Sequence, residues 1–153
     1  MLLKEVGLVK KSNGFTLLEL LVVVLIIGVT ITIARDGYLQ YQSKVHRVNA
    51  QSELMSISQQ LQEYKMLNKT YSGLNPLGSG NSKTFPENVT QPFYTITLSL
   101  ANSDQSFTLT ATPVAGTKQV ADGIICINSE LQKYWVLGSR TCSLNADSVW
   151  YGE

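Results

Sequence analysis

The sequence contains one histidine, His46, and two cysteines, Cys126 and Cys142, in 153 residues. A structural zinc site takes four His or Cys ligands, so a metal cage has too few here. Acid–base catalysis has only one copy of its most frequent participant. His46 lies between Val45 and Arg47 in a helical pattern, where a solvent-facing position is expected. Charge is sparse, at 15% of residues with a net charge of +1, so nothing overall points to nucleic acid or an acidic surface. No glycine-rich phosphate loop, serine elbow or paired-acid motif occurs. Asp104, Asp122 and Asp147 fall in predicted turns, where aspartate serves the backbone. The sequence therefore reads as a non-enzyme without cofactor or metal. Asn68-Lys-Thr70 and Asn88-Val-Thr90 fit the glycosylation pattern, which short sequences meet by chance. Proline is missing before Pro76, so no proline interrupts a helix in the first half.

A long apolar run is what the sequence does have. Residues 15–34 read FTLLELLVVVLIIGVTITIA, of which fourteen are Phe, Leu, Ile or Val. Twenty helical residues span about 30 Å, the thickness of a bilayer's hydrocarbon core. Each large aliphatic residue favours insertion by about 0.3–0.6 kcal/mol, and together they outweigh one acid at about 2.5–3.5. The segment should insert despite Glu19, and an acid in such a place calls for a partner. A cleaved secretory signal is the rival reading, with Thr32-Ile33-Ala34 as a poor cleavage site. The run is too long for that, and it carries a charge inside.

Lys-Lys-Ser-Asn-Gly14, then Phe15-Thr16-Leu-Leu-Glu19 and an aliphatic run through Gly28, resembles the class III leader and N-terminal helix of type IV pilins. The resemblance implies cleavage between Gly14 and Phe15 and N-methylation of Phe15, both by a prepilin peptidase on the cytoplasmic face. It also implies single-pass insertion in the inner membrane with the C-terminal domain periplasmic, then assembly by the pilus machinery into an extracellular helical filament of pilin subunits. Tyr38 and Tyr41 sit where such pilins commonly carry tyrosines. Cleavage would leave a cationic amine on Phe15, four residues before Glu19 on the same helical face. A carboxylate in an apolar medium is tolerable when paired. In the family, the glutamate meets the amine of a neighbouring subunit, so Glu19 is the expected assembly charge. One departure from the family pattern is Asp36 where a proline is frequent, with Gly37 as a weaker soft point.

Beyond the apolar run the pattern stays helical. Tyr38, Tyr41, Val45, Val48, Leu54, Ile57, Leu61 and Tyr64 recur at three- and four-residue steps, with a break near Asn49 to Ser52. Glutamines, serines, Lys44, Arg47, Glu53 and Glu63 are assigned to the other face. A helix over 15–67 would be roughly 80 Å long. Residues 68–92 read as a loop, and strands are expected over 93–100, 107–112, 124–127 and 134–137. The predicted fold is α+β, a long helix on a four-stranded antiparallel sheet, which is also the pilin arrangement. Its segments are a leader (1–14), an apolar helix (15–34), an amphipathic continuation (35–67), a loop (68–92) and a sheet with a closed C-terminal region (93–153). In an exported domain Cys126 and Cys142 most simply form a disulfide; no third ligand or Cys-x-x-Cys spacing supports metal or redox chemistry. Trp135, Trp150 and Tyr151 fit an aromatic contact surface or, in the favoured reading, a core Trp135 with Trp150 and Tyr151 over a sheet edge.

Three functions fit these features. The first is a structural subunit of a type IV pilus, a minor one on the strength of Asp36, acting in assembly or priming and hence in twitching motility, adhesion or DNA uptake. The second is a pseudopilin of a type II secretion system, which shares the N-terminal signature. The third and least favoured is a pilin that binds DNA during uptake. That reading needs a basic patch, and the sheet and tail offer only Lys118, Lys133 and Arg140.

Overall fold

The structure, a computed structural model, describes residues 14–78 and 80–150. The leader through Asn13, and Tyr151, lie outside the described residues. Helix α1 spans Leu17–Asn68 and is followed by β1 (Ser82–Phe85), β2 (Tyr94–Ala101), β3 (Ser106–Pro113), a 3-10 turn (Lys118–Ala121), β4 (Ile125–Asn128) and β5 (Lys133–Trp135). The chain divides into two compact units, Met1–Leu39 and Gln40–Glu153.

In the first unit the described apolar side chains are exposed, Phe15 at 79% and Leu17 at 82% among them. Their helix is long and apolar enough to cross a membrane. The hydroxyls of Thr30 and Thr32 donate to the carbonyls of Ile27 and Val29 at 2.9 and 2.7 Å. Two polar side chains in an apolar helix are thereby satisfied within it.

The second unit is an α+β domain. Its five strands form one antiparallel sheet in the order β1-β2-β3-β4-β5. Tyr94, Ile96 and Leu98 of β2 alternate with outward Thr95, Thr97 and Ser99, and β3 repeats the pattern with Phe107, Leu109 and Ala111. Ile125 and Ile127 extend this inner face across β4, and Ala50, Leu54, Ile57 and Leu61 of α1 close the core over it. Tyr71 from the following loop meets the Phe107 ring edge-on, with centroids 4.9 Å apart. Trp135 and Trp150 are both buried in the core.

The sequence reading needs three corrections here. The sheet has five strands, because Ser82–Phe85 pairs with β2 inside the stretch read as loop. This strand is four residues long and only half-buried at alternate positions, so it carries almost no hydrophobic signal. The apolar helix pattern is two stripes rather than one. Ala50, Leu54, Ile57 and Leu61 face the sheet, whereas Tyr41, Val45 and Val48 are exposed. The break at Asn49 to Ser52 is the point where the inward stripe begins. Finally, Arg47 is not on the solvated face: it pairs with the buried Asp122. Gly123 explains the tight path into β4: its φ is +95°, and a Cβ there would lie 2.7 Å from the Val136 carbonyl oxygen.

Candidate functional site

At the N-terminal end, Gly14, Phe15 and Thr16 precede the helix and are exposed. Among the described residues nothing lies within 4 Å of a Cβ built on Gly14. The Thr16 amide and hydroxyl both donate to Glu19 Oε2, at 2.9 and 3.0 Å, and the Glu19 amide donates to the Thr16 hydroxyl at 3.2 Å. This is a reciprocal capping box, Thr-x-x-Glu, that satisfies donors at the helix start. The sequence reading left Glu19 incomplete in a free subunit and missed this arrangement, although the four-residue signature is legible. Hydrogen bonding of the acid is met locally. Its charge is not, since no cation contacts it among the described residues.

Within the domain, Asp122 follows the 3-10 turn and is buried rather than lying in a solvated turn. Arg47 of α1 forms an ion pair with its Oδ1. The Tyr94 hydroxyl and Gln119 Nε2 both donate to its Oδ2 at 3.0 Å. Gln119 Nε2 also approaches the Ser43 carbonyl at 3.0 Å, and Trp135 Nε1 donates to the Asp122 carbonyl at 2.9 Å. The Arg47 guanidinium lies 3.7 Å from the Trp135 ring centroid, a cation–π contact. Burial pushes the Asp122 carboxyl up, opposed by the Arg47 charge. Burial, then the Asp122 charge, pushes the Tyr94 phenol far above its ordinary range. Each of these side chains has a polar partner, as a buried polar network requires. The cluster ties helix, turn and sheet together and leaves no free nucleophile. His46 is half-buried rather than solvent-facing: it stacks on Phe93 at 3.6 Å, and burial pushes its pKa down.

Cys126 is fully buried on β4 and is joined to exposed Cys142, with Cα atoms 6.2 Å apart. Trp150 Nε1 donates to the Cys126 carbonyl at 3.0 Å, so the tail is held at two points. Among the described residues no group of three His, Cys, Asp or Glu side chains is placed to hold a metal ion.

The end of α1 meets the β2–β3 turn in a polar pole. Lys65 Nζ donates to the Gln105 carbonyl at 2.6 Å, and Gln105 Nε2 donates to the Lys69 carbonyl at 3.0 Å. Asn102, Ser103 and Asp104 there are three successive non-glycine residues in the left-handed region. Such conformations persist where the surroundings hold them, often at functional surfaces. Lys65, Lys69, Lys118, Lys133 and Arg140 have no carboxylate partner among the described residues, whereas Arg47 and Lys83 do. The sequence reading missed Lys65 and Lys69 as candidates because it considered only the sheet and tail.

Comparison with known proteins places the chain among pilins. Residues 9–34 match the prokaryotic N-terminal methylation motif, which includes Gly14, Phe15 and Glu19. Residues 37–130 match the family described as type IV minor pilin ComP, DNA uptake sequence receptor, and the chain belongs to that family. It is also similar to the type II secretion system core protein G of Dickeya chrysanthemi, 32% identical over 62 residues, and to that of Pectobacterium carotovorum subsp. carotovorum, 34% over 61 residues. Each match covers 40% of this chain, and about two fifths of the length of those relatives. A solved type IV pilin from Shewanella oneidensis overlaps 56% of this chain and 82% of its own at 18% identity, with a TM-score of 0.41.

Proposed function

We propose that this chain is a minor subunit of a type IV pilus that takes duplex DNA at the filament surface for uptake. The family match over residues 37–130 carries the reading. It reverses the order drawn from sequence, where DNA capture stood last because only three cations were counted. In this reading the leader 1–14 is removed by a prepilin peptidase and N-methyltransferase, which methylates Phe15. The apolar helix then holds the subunit in the inner membrane with its domain periplasmic, until the assembly machinery extracts it into the extracellular filament. There, Glu19 exchanges its contact with Thr16 for the amine of a neighbouring pilin, which supplies the missing positive charge. DNA contact falls to cations without carboxylate partners, with Lys65 and Lys69 beside the β2–β3 turn as the first pair to examine.

Anisotropy titration of a labelled duplex against the full chain in lipid discs, at several salt concentrations, tests the DNA step. Affinity should fall linearly on a log–log plot against salt. Lys65→Gln with Lys69→Gln should flatten that slope by about one for each phosphate no longer neutralised. Binding that is absent at low salt would overturn DNA capture. A second reading, a secretion pseudopilin, is favoured by the similarity to the core protein G relatives. Mass spectrometry of sheared surface filaments separates the two. N-methylated Phe15 in filaments supports the pilus, and the same peptide confined to the cell envelope supports the pseudopilin.

A further inference from the structure

The end of the domain unit at which α1 enters it is built from two laced loops. After the 3-10 turn Lys118–Ala121 the chain runs through Asp122 and Gly123 towards β4, and residues 136–139 leave β5 alongside it. The Gly138 amide donates to the Asp122 carbonyl at 3.3 Å, and the Ile124 amide donates to the Ser139 carbonyl at 2.9 Å. The Gln119 contact with the Ser43 carbonyl and the Arg47–Asp122 ion pair fix this pole to the first turns of α1 in the unit. The loops carry aliphatic side chains that the core does not take: Val120 is 38% exposed, Val136 50% and Leu137 69%. Lys118 and Arg140 flank them, exposed and without a carboxylate partner among the described residues. Of the acids on this side, Asp122 is buried against Arg47, and Glu87 of the β1–β2 loop lies 3.3 Å from Lys83.

We propose that this pole docks on an anionic phospholipid bilayer, the same one that holds the chain's apolar helix, before the subunit is extracted. Connectivity brings the surface to its partner. Residue 34, where the apolar run ends, and Gln40, where the domain unit begins, are six residues apart, a reach of about 20 Å even when fully extended. Aliphatic side chains projecting between cations suit a headgroup layer, where the apolar part enters the acyl boundary and the charge stays among the phosphates. Duplex DNA would use the two cations and leave Val120, Val136 and Leu137 in water, because phosphate contacts ask only for charge and hydrogen bonds. Lys65 and Lys69 lie beside the β2–β3 turn at the other end of β2 and β3, so the cations assigned to DNA stay accessible while this pole is docked. The inference rests on the reading of the apolar helix as a membrane anchor and not on DNA capture.

The test is amide NMR on the full chain in phosphatidylcholine discs, with and without one quarter phosphatidylglycerol, and with a nitroxide on the lipid headgroup. In the anionic discs the amides of residues 118–121 and 136–139 should broaden, while those of residues 102–105 at the opposite pole keep their intensity. Lys118→Gln with Arg140→Gln should lower the ratio of docked to free domain about fivefold for each charge removed. Leu137→Ser, at an exposed position that leaves the core alone, should also reduce the broadening while the unfolding midpoint stays unchanged. Docking is overturned if neutral and anionic discs give the same broadening, if both poles broaden equally, if the double variant keeps the wild-type signal, or if soluble duplex DNA releases the pole from the lipid. A chain that enters the discs without broadening at this pole refutes docking alone. A chain that does not enter them refutes the anchor reading and docking with it.

Discussion

The two parts of helix α1 share a backbone conformation and almost nothing else. From Leu17 to Ile31 the side chains are mostly large, aliphatic and exposed, with Glu19 as the one charge of that span and no cation in contact with it among the described residues. From Ala50 to Leu61 the helix buries one stripe on a sheet and carries polar residues elsewhere. Helical hydrogen bonding is therefore equally satisfied in both, and side-chain environment alone separates a segment that seeks an apolar medium from one that completes a core. The same difference governs charge. Asp122 is tolerated inside the domain because Arg47, Tyr94 and Gln119 converge on it, whereas among the described residues Thr16 alone meets the hydrogen bonds of Glu19. The first acid is tied to distant parts of the domain, and the second is bonded at the start of its own helix.

Breaking the ion pair should give the largest effect. Arg47→Met leaves a buried carboxylate without its cation and should lower domain stability by about 3–5 kcal/mol in urea unfolding of the full chain. An unchanged midpoint would mean that Asp122 does not rely on Arg47. Next in size is the contrast between the two helix stripes. Leu54→Ala should cost about 2–5 kcal/mol, whereas Val48→Ala, 47% exposed, should stay within about 0.5. Equal destabilisation would refute the assignment of faces. A smaller effect is expected at the N-terminus, where Thr16→Val removes one side of the capping box. Hydrogen exchange at the amides of Leu17 to Glu19 should become severalfold faster, with no change in the domain.

The smallest effect concerns pH. Because burial lowers the folded-state pKa of His46, its contribution to stability is full above the ordinary imidazole value of about 6.5 and is lost as pH falls through the folded value. Asp122 has the opposite sign. Its raised folded-state value favours the fold below the ordinary carboxylate range, and that contribution is lost as pH rises through the folded value. Between pH 7.5 and 5.5 the His46 effect should therefore show as a modest drop in unfolding midpoint, and His46→Phe should remove it. A wild-type profile flat over that window would show that stacking on Phe93 does not disfavour the charged ring.

Legibility in the sequence followed the strength of the local pattern. The alternation of β2 and β3 was plain because each places Ile, Leu or Phe against Thr and Ser over eight residues. β1 was missed because Ser-Lys-Thr-Phe has no such contrast and owes its conformation to pairing with β2. Thr16 was overlooked although its spacing to Glu19 is a local signal, because an acid in an apolar run reads first as a charge. Asp122 was misread because aspartate after a turn is ordinary in sequence, and its partners come from residues 47, 94 and 119. Lys65 and Lys69 lie at a helix end that only folding brings beside the β2–β3 turn.

By itself the sequence determined the apolar helix, the likeness to the N-terminal methylation motif over residues 9–34, and the α+β class, because each is written in the spacing of near neighbours. Only the tertiary structure decided which helix stripe is buried, that Arg47 neutralises Asp122 inside the domain, and that the Ser58 hydroxyl is buried without a partner among the described residues. Those outcomes depend on contacts between residues far apart in the chain. The energy of a buried charge or an unpaired hydroxyl is set by what surrounds it in space rather than by its neighbours in sequence.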